Sequence, residues 1–198
     1  MRKAVFLDRD GTLNKLVYDD LRNEFHPPFF PEELVLLQGT GEALHRLMSE
    51  GYLLFVITNQ PDHAKGKTTL ENIKADEDKF RSLMRENGID LAGYYACYHH
   101  PDGVENEFAV ICECRKPGTL FVDNAVKEFV IDRSTSWFVG DRGSDIECGR
   151  RSGMRTVLLT GGQDNDSSLS TNATVTAGSL SNAIELITQA NKKAECHQ

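Results

Sequence analysis

Residues 4–12 read Ala-Val-Phe-Leu-Asp-Arg-Asp-Gly-Thr, an apolar run that ends on two acids and a glycine. Four apolar residues in succession predict a short strand that is buried on both faces. Side chains two positions apart in an extended chain point to the same side, so Asp8 and Asp10 are expected to face one site while Arg9 faces away. Two carboxylates at one place repel each other unless a cation lies between them, and Mg²⁺ is a cation that prefers such oxygen ligands.

The rest of the chain alternates short apolar runs with helical patterns. The predicted strands are Ala4–Asp8, Leu53–Thr58, Tyr94–Cys97, Trp137–Gly140 and Thr156–Leu159. The predicted helices are Gly41–Ser49, Leu70–Glu86, Leu120–Phe129, Ser144–Ser152 and Leu180–Ala190. This alternation predicts an α/β fold with one domain over residues 1–198, a Rossmann-like parallel sheet with helices on both faces. The gaps at 12–52 and 61–114 leave no room for a large cap domain.

Polar side chains stand at the ends of three predicted strands. Asp8 and Asp10 close the first strand, Thr58 and Asn59 the second, and Asp141 the fourth. In parallel sheets, ligands bind beyond the carboxyl ends of the strands, near the point where the strand order reverses. These groups are therefore expected to converge on one site, with Asp8, Asp10 and Asp141 as Mg²⁺ ligands.

The residue types at this site suit phosphoryl transfer. A carboxylate can attack phosphorus to form an acyl phosphate, a role that falls to Asp8. Asp10 can protonate the leaving oxygen and later take a proton from water. Thr58, Asn59 and Lys116 offer donors for the charge that builds on the phosphoryl oxygens. The sequence thus predicts a catalytic site for phosphate ester hydrolysis.

An Asp-x-Asp-Gly-Thr sequence by itself also fits a strand-ending turn with solvated acids, because Asp and Gly favour turns. The later motifs argue against that simple explanation. Thr58-Asn59, Lys116 and the run Gly140-Asp141-x3-Asp145 follow in order along the chain and are placed near strand ends.

A loop predicted at residues 97–114 carries three cysteines and two neighbouring histidines. A set of three thiols and an imidazole suits a tetrahedral structural Zn²⁺. The expected ligands are Cys97, His99, Cys112 and Cys114. His100 is a competing imidazole, and unpaired core cysteines beside a surface histidine are the alternative without metal. A bound Zn²⁺ would hold an irregular loop with little core of its own and would position the adjoining Arg-Lys pair.

Composition and charge limit the partners. The formal net charge of -8 repels polyanions, so neither nucleic acid nor an anionic membrane is an expected partner. A polynucleotide 3′-phosphatase would need a basic path for the strand. The apolar runs are too short to cross a bilayer, and the first residues lead into a strand rather than a signal-peptide core. We expect a soluble, cytoplasmic monomer with a surface loop at Gln163–Thr171 and Cys196 in a frayed tail.

Four motifs together resemble the signatures of the haloacid dehalogenase phosphatases. They are Asp8-Arg9-Asp10-Gly11-Thr12-Leu13-Asn14, Thr58-Asn59-Gln60, Arg115-Lys116-Pro117 and Gly140-Asp141-Arg142. Within that superfamily, most of the chain is similar to the family of heptose 1,7-bisphosphate and histidinol-phosphate phosphatases. The resemblance implies that Asp8 is the nucleophile, that Asp10 is the acid/base, and that Mg²⁺ binds Asp8, Asp141 and the Asp10 carbonyl. It also implies that Thr58 and Lys116 stabilise the phosphoryl group.

The same resemblance bears on the substrate, a small sugar phosphate. The expected substrate contacts are Asn59, Arg115, Lys116 and Arg142. A zinc-bound loop with twelve residues between its two ligand pairs favours the heptose branch, whose members remove the C7 phosphate of D-glycero-D-manno-heptose 1,7-bisphosphate. Histidinol phosphate or another small phosphomonoester is the alternative substrate. A catalytically silent zinc-loop interaction module is the alternative from another class.

Three segments depart from the family pattern. Pro61-Asp62-His63 stands where Ser-Gly-Ile is usual, Gly118-Thr119-Leu120 where Pro-Gly-Met is usual, and Lys15-Leu16-Val17-Tyr18 in place of a polar stretch. These changes touch the leaving-group side, so the reaction class is better supported than the substrate. A lone loop histidine such as His63 is more often a hydrogen-bonding residue than a catalytic one.

Overall fold

The computed structural model describes residues 1–161 and 172–195, and it shows a six-stranded parallel sheet with helices on both faces. The strands are β1 Ala4–Leu7, β2 Val17–Asp19, β3 Glu24–His26, β4 Leu53–Asn59, β5 Leu91–Cys97, β6 Trp137–Gly140, β7 Arg155–Leu159 and β8 Val175–Ala177. The helices are α1 Thr40–Ser49, α2 Leu70–Glu86, α3 Leu120–Phe129, α4 Gly143–Arg151 and α5 Leu180–Glu195. The predicted α/β fold is confirmed. The stretch Gln163–Thr171 and Cys196 lie outside the described residues.

Each predicted helix and strand is present, with ends displaced by a few residues; β5, for example, begins at Leu91 rather than Tyr94. The strands β2, β3 and β8 were not predicted, because a run of three residues is too short to show a period. Of the helices described, none has an apolar span long enough to cross a bilayer.

The central strand β1 divides the core into two layers. Val5 and Leu7 pack with α1, α2 and α5, whereas Phe6 packs with α3 and α4. Because both faces are covered, the strand is apolar throughout. Phe6 stacks against Phe55 and Phe138, with ring centroids 4.9 and 6.3 Å away. Full burial of each ring contributes roughly 1.5–3 kcal/mol.

The strand order, β5-β4-β1-β6-β7-β8, opens a crevice beside β1. The chain adds β4 and β5 on one side of β1 and then returns to place β6 on the other side. Connections that leave in opposite directions create a binding crevice at the carboxyl edge. Leu7 pairs in register with both Val56 and Val139, so the residues that follow in the three strands reach the same edge.

Two insertions adjoin the sheet. The antiparallel β2–β3 hairpin and a short 3-10 helix at Pro31–Glu33 lie between β1 and α1, and the cysteine loop lies between β5 and α3. Neither forms a separate domain in the part of the chain that the structure describes. The prediction that no large cap is present is therefore confirmed for these residues.

Candidate active site

Three buried carboxylates meet at the carboxyl ends of β1 and β6. Asp8 follows β1, Asp141 follows β6, and Asp145 lies in the first turn of α4. One carboxylate oxygen of each lies within 4.8 Å of the other two. The Asp8 amide donates to the Val139 carbonyl (2.9 Å), which fixes Asp8 against β6. Like charges at such distances repel, so this group calls for a compensating cation.

Two glycines allow this close approach. Gly11 adopts a left-handed conformation (φ +85°), and a Cβ there would overlap the Asp141 carboxylate. A Cβ at Gly140 would overlap the Asp145 side chain in the same way. Glycine is required at both positions because no other residue leaves this space open.

Lys116 supplies one compensating charge from within the protein. Its Nζ lies 2.5 Å from Asp8 Oδ1 and 2.6 Å from Asp145 Oδ1, and it donates to the Ile57 carbonyl at 2.8 Å. Burial alone lowers the pKa of Lys116, but the carboxylates of Asp145 and Asp8 outweigh that effect and raise the pKa. The ammonium is therefore charged and held in one position beside Asp8.

The acidic group is also suited to a metal ion. Burial, followed by the charges of Asp8 and Asp145, raises the pKa of Asp141 to about 8. Burial raises the pKa of Asp145 to about 6, with Lys116 opposing the rise. Asp141 Oδ2 is buried and accepts no hydrogen bond from the described residues. An all-oxygen donor set with an unsatisfied oxygen fits a hard cation such as Mg²⁺.

The Asp10 carboxylate is not part of this acidic group and is surrounded by donors. It accepts hydrogen bonds from Arg9 Nη2 (2.9 Å) and Nε (3.1 Å), Asn14 Nδ2 (3.0 Å) and Gln60 Nε2 (2.5 Å). Burial alone raises the pKa of Asp10, but Arg9 and these hydrogen bonds outweigh it and lower the pKa. The carboxylate is thus held in one orientation in its ionised form.

Arg9 ties Asp10 to two other elements. The side chain is fully buried, and its Nη1 donates to Asp76 on α2 (2.6 Å) and to the Tyr94 hydroxyl on β5 (3.3 Å). Burial raises the pKa of Asp76 to about 6 although Arg9 opposes the rise. Removing one partner of a buried ion pair commonly costs about 3–5 kcal/mol, so this network has little freedom to rearrange.

Asn59 and Thr58 hold neighbouring groups in place. The Asn59 side-chain carbonyl accepts from the Lys116 amide (3.0 Å), and its Nδ2 donates to the Lys116 carbonyl (3.2 Å). This pair of bonds fixes the backbone from which the lysine projects. The buried Thr58 hydroxyl accepts a hydrogen bond from Gln60 Nε2 (3.0 Å).

A cavity of about 260 Å³ brings most of the predicted site residues together, although Asp141 is not part of its lining. Its lining includes Asp8, Asp10, Thr58, Asn59, Arg115, Lys116 and Arg142. Asp62, Lys65 and Lys67 line it as well, together with hairpin residues 25–27. Lys67 pairs with Glu24 (3.2 Å). The cavity thus joins a carboxylate–lysine centre to four further basic side chains.

The cysteine loop gathers its predicted ligands into one cluster. Cys97, His99, Cys112 and Cys114 each place a ligand atom within 4.8 Å of the others. The sulfur atoms lie 3.2–3.6 Å apart, well beyond a disulfide bond length, and His99 Nδ1 lies 3.3 Å from the Cys114 sulfur. His100 Nδ1 accepts from the Asp102 amide (3.1 Å), so His99 is the imidazole of the cluster. Three thiols and an imidazole so arranged fit Zn²⁺.

Several groups at the site were not among the predicted site residues. Asp145 had a signal, since it ends the run Gly140-Asp141-x3-Asp145 and lies in the first turn of α4. Asp76 had none, because one acid among many on a helix surface does not reveal its partner. His63 lies in the turn after β4, where its ring packs edge-on against Phe108 (4.9 Å between centroids).

The comparisons with known proteins agree with the fold. Residues 113–183 match the HAD-hydrolase-like family model. Together with the parallel sheet and its acidic edge, this match over part of the chain points to the class of haloacid dehalogenase-type hydrolases.

Two relatives identify the family within this class. The D-glycero-beta-D-manno-heptose-1,7-bisphosphate 7-phosphatase of Pasteurella multocida is 36% identical over 166 residues, 80% of this chain and 82% of the relative. The D-glycero-D-manno-heptose-1,7-bisphosphate 7-phosphatase of Chlorobaculum tepidum is 32% identical over 172 residues, 83% and 82% of the two chains. The chain belongs to this family of haloacid dehalogenase phosphatases and is an enzyme that hydrolyses phosphate esters. The predicted family and enzyme class are confirmed. This result argues against the alternative of a catalytically silent zinc-loop interaction module.

A solved structure supports the fold. The D,D-heptose 1,7-bisphosphate phosphatase of B. bronchiseptica, complexed with magnesium and phosphate, aligns with a TM-score of 0.75 at 24% identity. The alignment covers 95% of this chain and 99% of that one. The layered sheet described above is thus the fold of that phosphatase as well.

Proposed function

We propose that this chain is a Mg²⁺-dependent phosphatase that acts through a phosphoryl group on Asp8 and removes the C7 phosphate of D-glycero-D-manno-heptose 1,7-bisphosphate. The observation that carries the reaction type is Lys116 Nζ, 2.5 Å from Asp8 Oδ1 at the carboxyl edge of the central strand. The heptose bisphosphate phosphatases at 32–36% identity support the substrate. We further propose that the enzyme works as a single-domain cytoplasmic monomer.

In the first half-reaction, an Asp8 oxygen attacks the phosphorus and the bond to the sugar oxygen breaks. That oxygen takes its proton from Asp10, so the sugar leaves as a neutral alcohol. Lys116 and the Thr58 hydroxyl offer donors to the phosphoryl oxygens as charge moves onto them. In the second half-reaction, water attacks phosphorus, Asp10 takes the water proton, and inorganic phosphate departs from a regenerated Asp8.

The donors around Asp10 suit this double role. Arg9 and Gln60 hold the carboxylate in one orientation and favour its ionised form, which is the form that accepts a proton from water. The first step needs the protonated form, and the negative charge of an arriving phosphate favours that protonation. Binding of the substrate therefore prepares Asp10 to act as an acid.

The metal assignment is also part of this proposal. When bound to Asp8, Asp141 and the Asp10 carbonyl, Mg²⁺ would neutralise charge on the phosphoryl oxygens. Asp145 keeps Lys116 beside this group through its 2.6 Å ion pair. We likewise propose that Zn²⁺ on the cysteine cluster is structural, because four protein ligands leave no open position for water.

The charges of the cavity favour a bisphosphate. Besides Lys116, the lining carries Lys65, Lys67, Arg115 and Arg142. These basic groups suit a leaving group that bears a second phosphate. The same charges repel an ammonium group, so histidinol phosphate is the weaker candidate.

A substrate panel tests this assignment. We expect heptose 1,7-bisphosphate to be hydrolysed about a hundredfold more efficiently than histidinol phosphate or p-nitrophenyl phosphate, since a lost charge-paired contact costs roughly 2–5 kcal/mol. The measurement is kcat/KM with both heptose anomers and excess Mg²⁺. A higher kcat/KM for histidinol phosphate would overturn the substrate while leaving the reaction type intact.

A further inference from the structure

Asp62 is a buried acid in the cavity that the reaction described above does not use. The residue is 5% exposed and lines the cavity with Asp8 and Lys116. Its carboxylate forms no hydrogen bond or ion pair with another residue that the structure describes. Burial raises the pKa of Asp62, with Lys67 and Lys65 opposing the rise. Because Asp62 lines the cavity, its carboxylate is available to a donor on a bound ligand.

The position of Asp62 points to the leaving group. The charges that act on its pKa include those of Lys65, Lys67 and Asp10, all of which line the same cavity. Asp10 is the group proposed to protonate the leaving oxygen. Because Asp62 and Asp10 line one cavity, Asp62 is placed to meet the part of the substrate beyond the scissile bond.

The turn that carries Asp62 is rigid. Lys65 N donates to the Pro61 carbonyl (2.9 Å), and Lys67 N donates to the Asp62 carbonyl (2.8 Å). The cysteine loop holds the turn from outside, because Val104 N donates to the Ala64 carbonyl (2.7 Å). A carboxylate on such a support meets its ligand without first having to be ordered.

The surroundings decide which ligand chemistry suits Asp62. A metal ion is not favoured, since the two metal-capable clusters among the described residues do not include it. An ammonium group is not favoured either, because Lys65, Lys67 and Arg115 line the same cavity. A hydroxyl group is a neutral donor. An ionised carboxylate can accept a hydrogen bond from it, and the basic side chains of the cavity do not repel it.

We propose that Asp62 determines specificity by accepting hydrogen bonds from hydroxyl groups of the leaving group. The inference rests on the proposed function in one respect, namely that the leaving group is a polyhydroxylated sugar. It gives a role to the acid that replaces the family's usual glycine after Thr58-Asn59-Gln60.

The test compares Asp62→Asn and Asp62→Ala on two substrates, heptose 1,7-bisphosphate and p-nitrophenyl phosphate, whose leaving group has no aliphatic hydroxyl. We expect Asp62→Ala to lower kcat/KM for the sugar about tenfold to a hundredfold and to leave the aryl ester within about twofold. Asp62→Asn keeps a carbonyl acceptor and should fall between wild type and Asp62→Ala. His63→Ala, in the same turn, is the matched control and should leave the ratio of the two substrates unchanged.

Thermal melts show whether Asp62 has a purely structural role instead. Because the Asp62 carboxylate makes no hydrogen bond or ion pair within the described residues, both Asp62 variants should melt close to the wild-type temperature, whereas a structural role would lower it. Equal losses on both substrates, or no loss on the sugar, would overturn the proposal. If Asp62→Asn lost as much as Asp62→Ala, charge rather than an acceptor oxygen would matter, and hydroxyl recognition would be wrong.

Deoxy analogues separate this inference from the substrate assignment. Removing the contacted hydroxyl from the sugar phosphate should slow the wild type but not Asp62→Ala. If heptose bisphosphate is not hydrolysed by the wild type, the proposed substrate fails, and the same comparison is made with whichever polyhydroxylated phosphate ester of the panel reacts fastest. An equal deoxy effect in both proteins would contradict a contact with Asp62.

Discussion

The sheet edge and the cysteine loop both place charged groups beside the cavity, but they hold them in different ways. At the sheet edge, Asp8 and Lys116 are buried and tied to neighbouring strands, with Lys116 Nζ bonded to the Ile57 carbonyl at 2.8 Å. In the cysteine loop, the ligand atoms converge on one point, and Arg115 is tied to the loop through the His99 carbonyl (3.3 Å). In the proposed reaction, the phosphoryl-transfer groups therefore depend on the core, whereas Arg115, the proposed substrate contact, depends on a locally fixed loop.

Lys116→Met removes the compensating charge at the sheet edge and should have a larger effect than any change in the cysteine loop. Loss of the ammonium leaves Asp8 and Asp145 without their ion pair, and we expect kcat to fall by about 10²–10³, the usual loss for one preorganised electrostatic group. The melting temperature should fall as well, because buried carboxylates are left uncompensated. Steady-state kinetics and thermal melts measure both effects. Lys116→Met/Asp145→Asn should regain stability but not activity, and a double variant with recovered turnover would contradict the role of Lys116.

Cys112→Ser removes one proposed zinc ligand from the cysteine loop. It should have a smaller effect than Lys116→Met, and the effect should be on kcat/KM. If Zn²⁺ holds the loop, kcat/KM should fall about 10–100-fold because Arg115, which bonds to the His99 carbonyl of the loop, loses its support. The sheet should stay folded by circular dichroism. Cys148→Ser, which alters a buried thiol outside the cluster, should keep one zinc per chain by metal analysis. Wild-type protein without zinc, or unchanged kinetics of Cys112→Ser, would leave the cysteines as ordinary thiols.

Asp76→Asn tests the sheet edge indirectly, because Asp76 supports Asp10 only through Arg9. Arg9 would keep Asp10 but lose its 2.6 Å partner on α2. We expect about a tenfold loss in kcat with little change in KM, and lower stability in urea, because a broken buried pair costs about 3–5 kcal/mol. Glu147→Gln, which breaks two exposed ion pairs on α4, should change neither kcat nor stability. A loss confined to stability would show that the network supports the fold but not Asp10.

The acids of the sheet edge also predict a pH dependence of stability. The pKa values of Asp141 and Asp145, about 8 and about 6, exceed the ordinary value, so the folded protein binds more protons than the unfolded chain above about pH 4. Without Mg²⁺, the free energy of unfolding should therefore fall as pH rises from about 4 to 8. Mg²⁺ favours the ionised acids and should stabilise the protein more at pH 8 than at pH 5. Equal shifts of the melting temperature at both pH values would contradict a metal site at these acids.

How far the sequence predicts this molecule depends on the range of the interactions. The strands β1, β4 and β6 are apolar along their length, so they and their polar ends could be read directly. The pairing of Arg9 with Asp76, which lie 67 positions apart, leaves no local pattern. The sequence shows Asp62 only as a departure from the family pattern, because its burial and its place in the cavity depend on the fold.

Direct detection of the phosphorylated enzyme tests the central claim. Wild-type protein mixed with isotopically labelled heptose bisphosphate and Mg²⁺ is quenched with acid during the first turnover, and its peptides are mapped by mass spectrometry. The account predicts one phosphoryl group on the peptide that contains Asp8, formed and lost at rates no slower than kcat. Asp8→Asn should carry no label and should lose at least about three powers of ten in turnover, as is usual for a covalent nucleophile. A complete first turnover with no labelled Asp8, or with the label on another residue, would contradict the account.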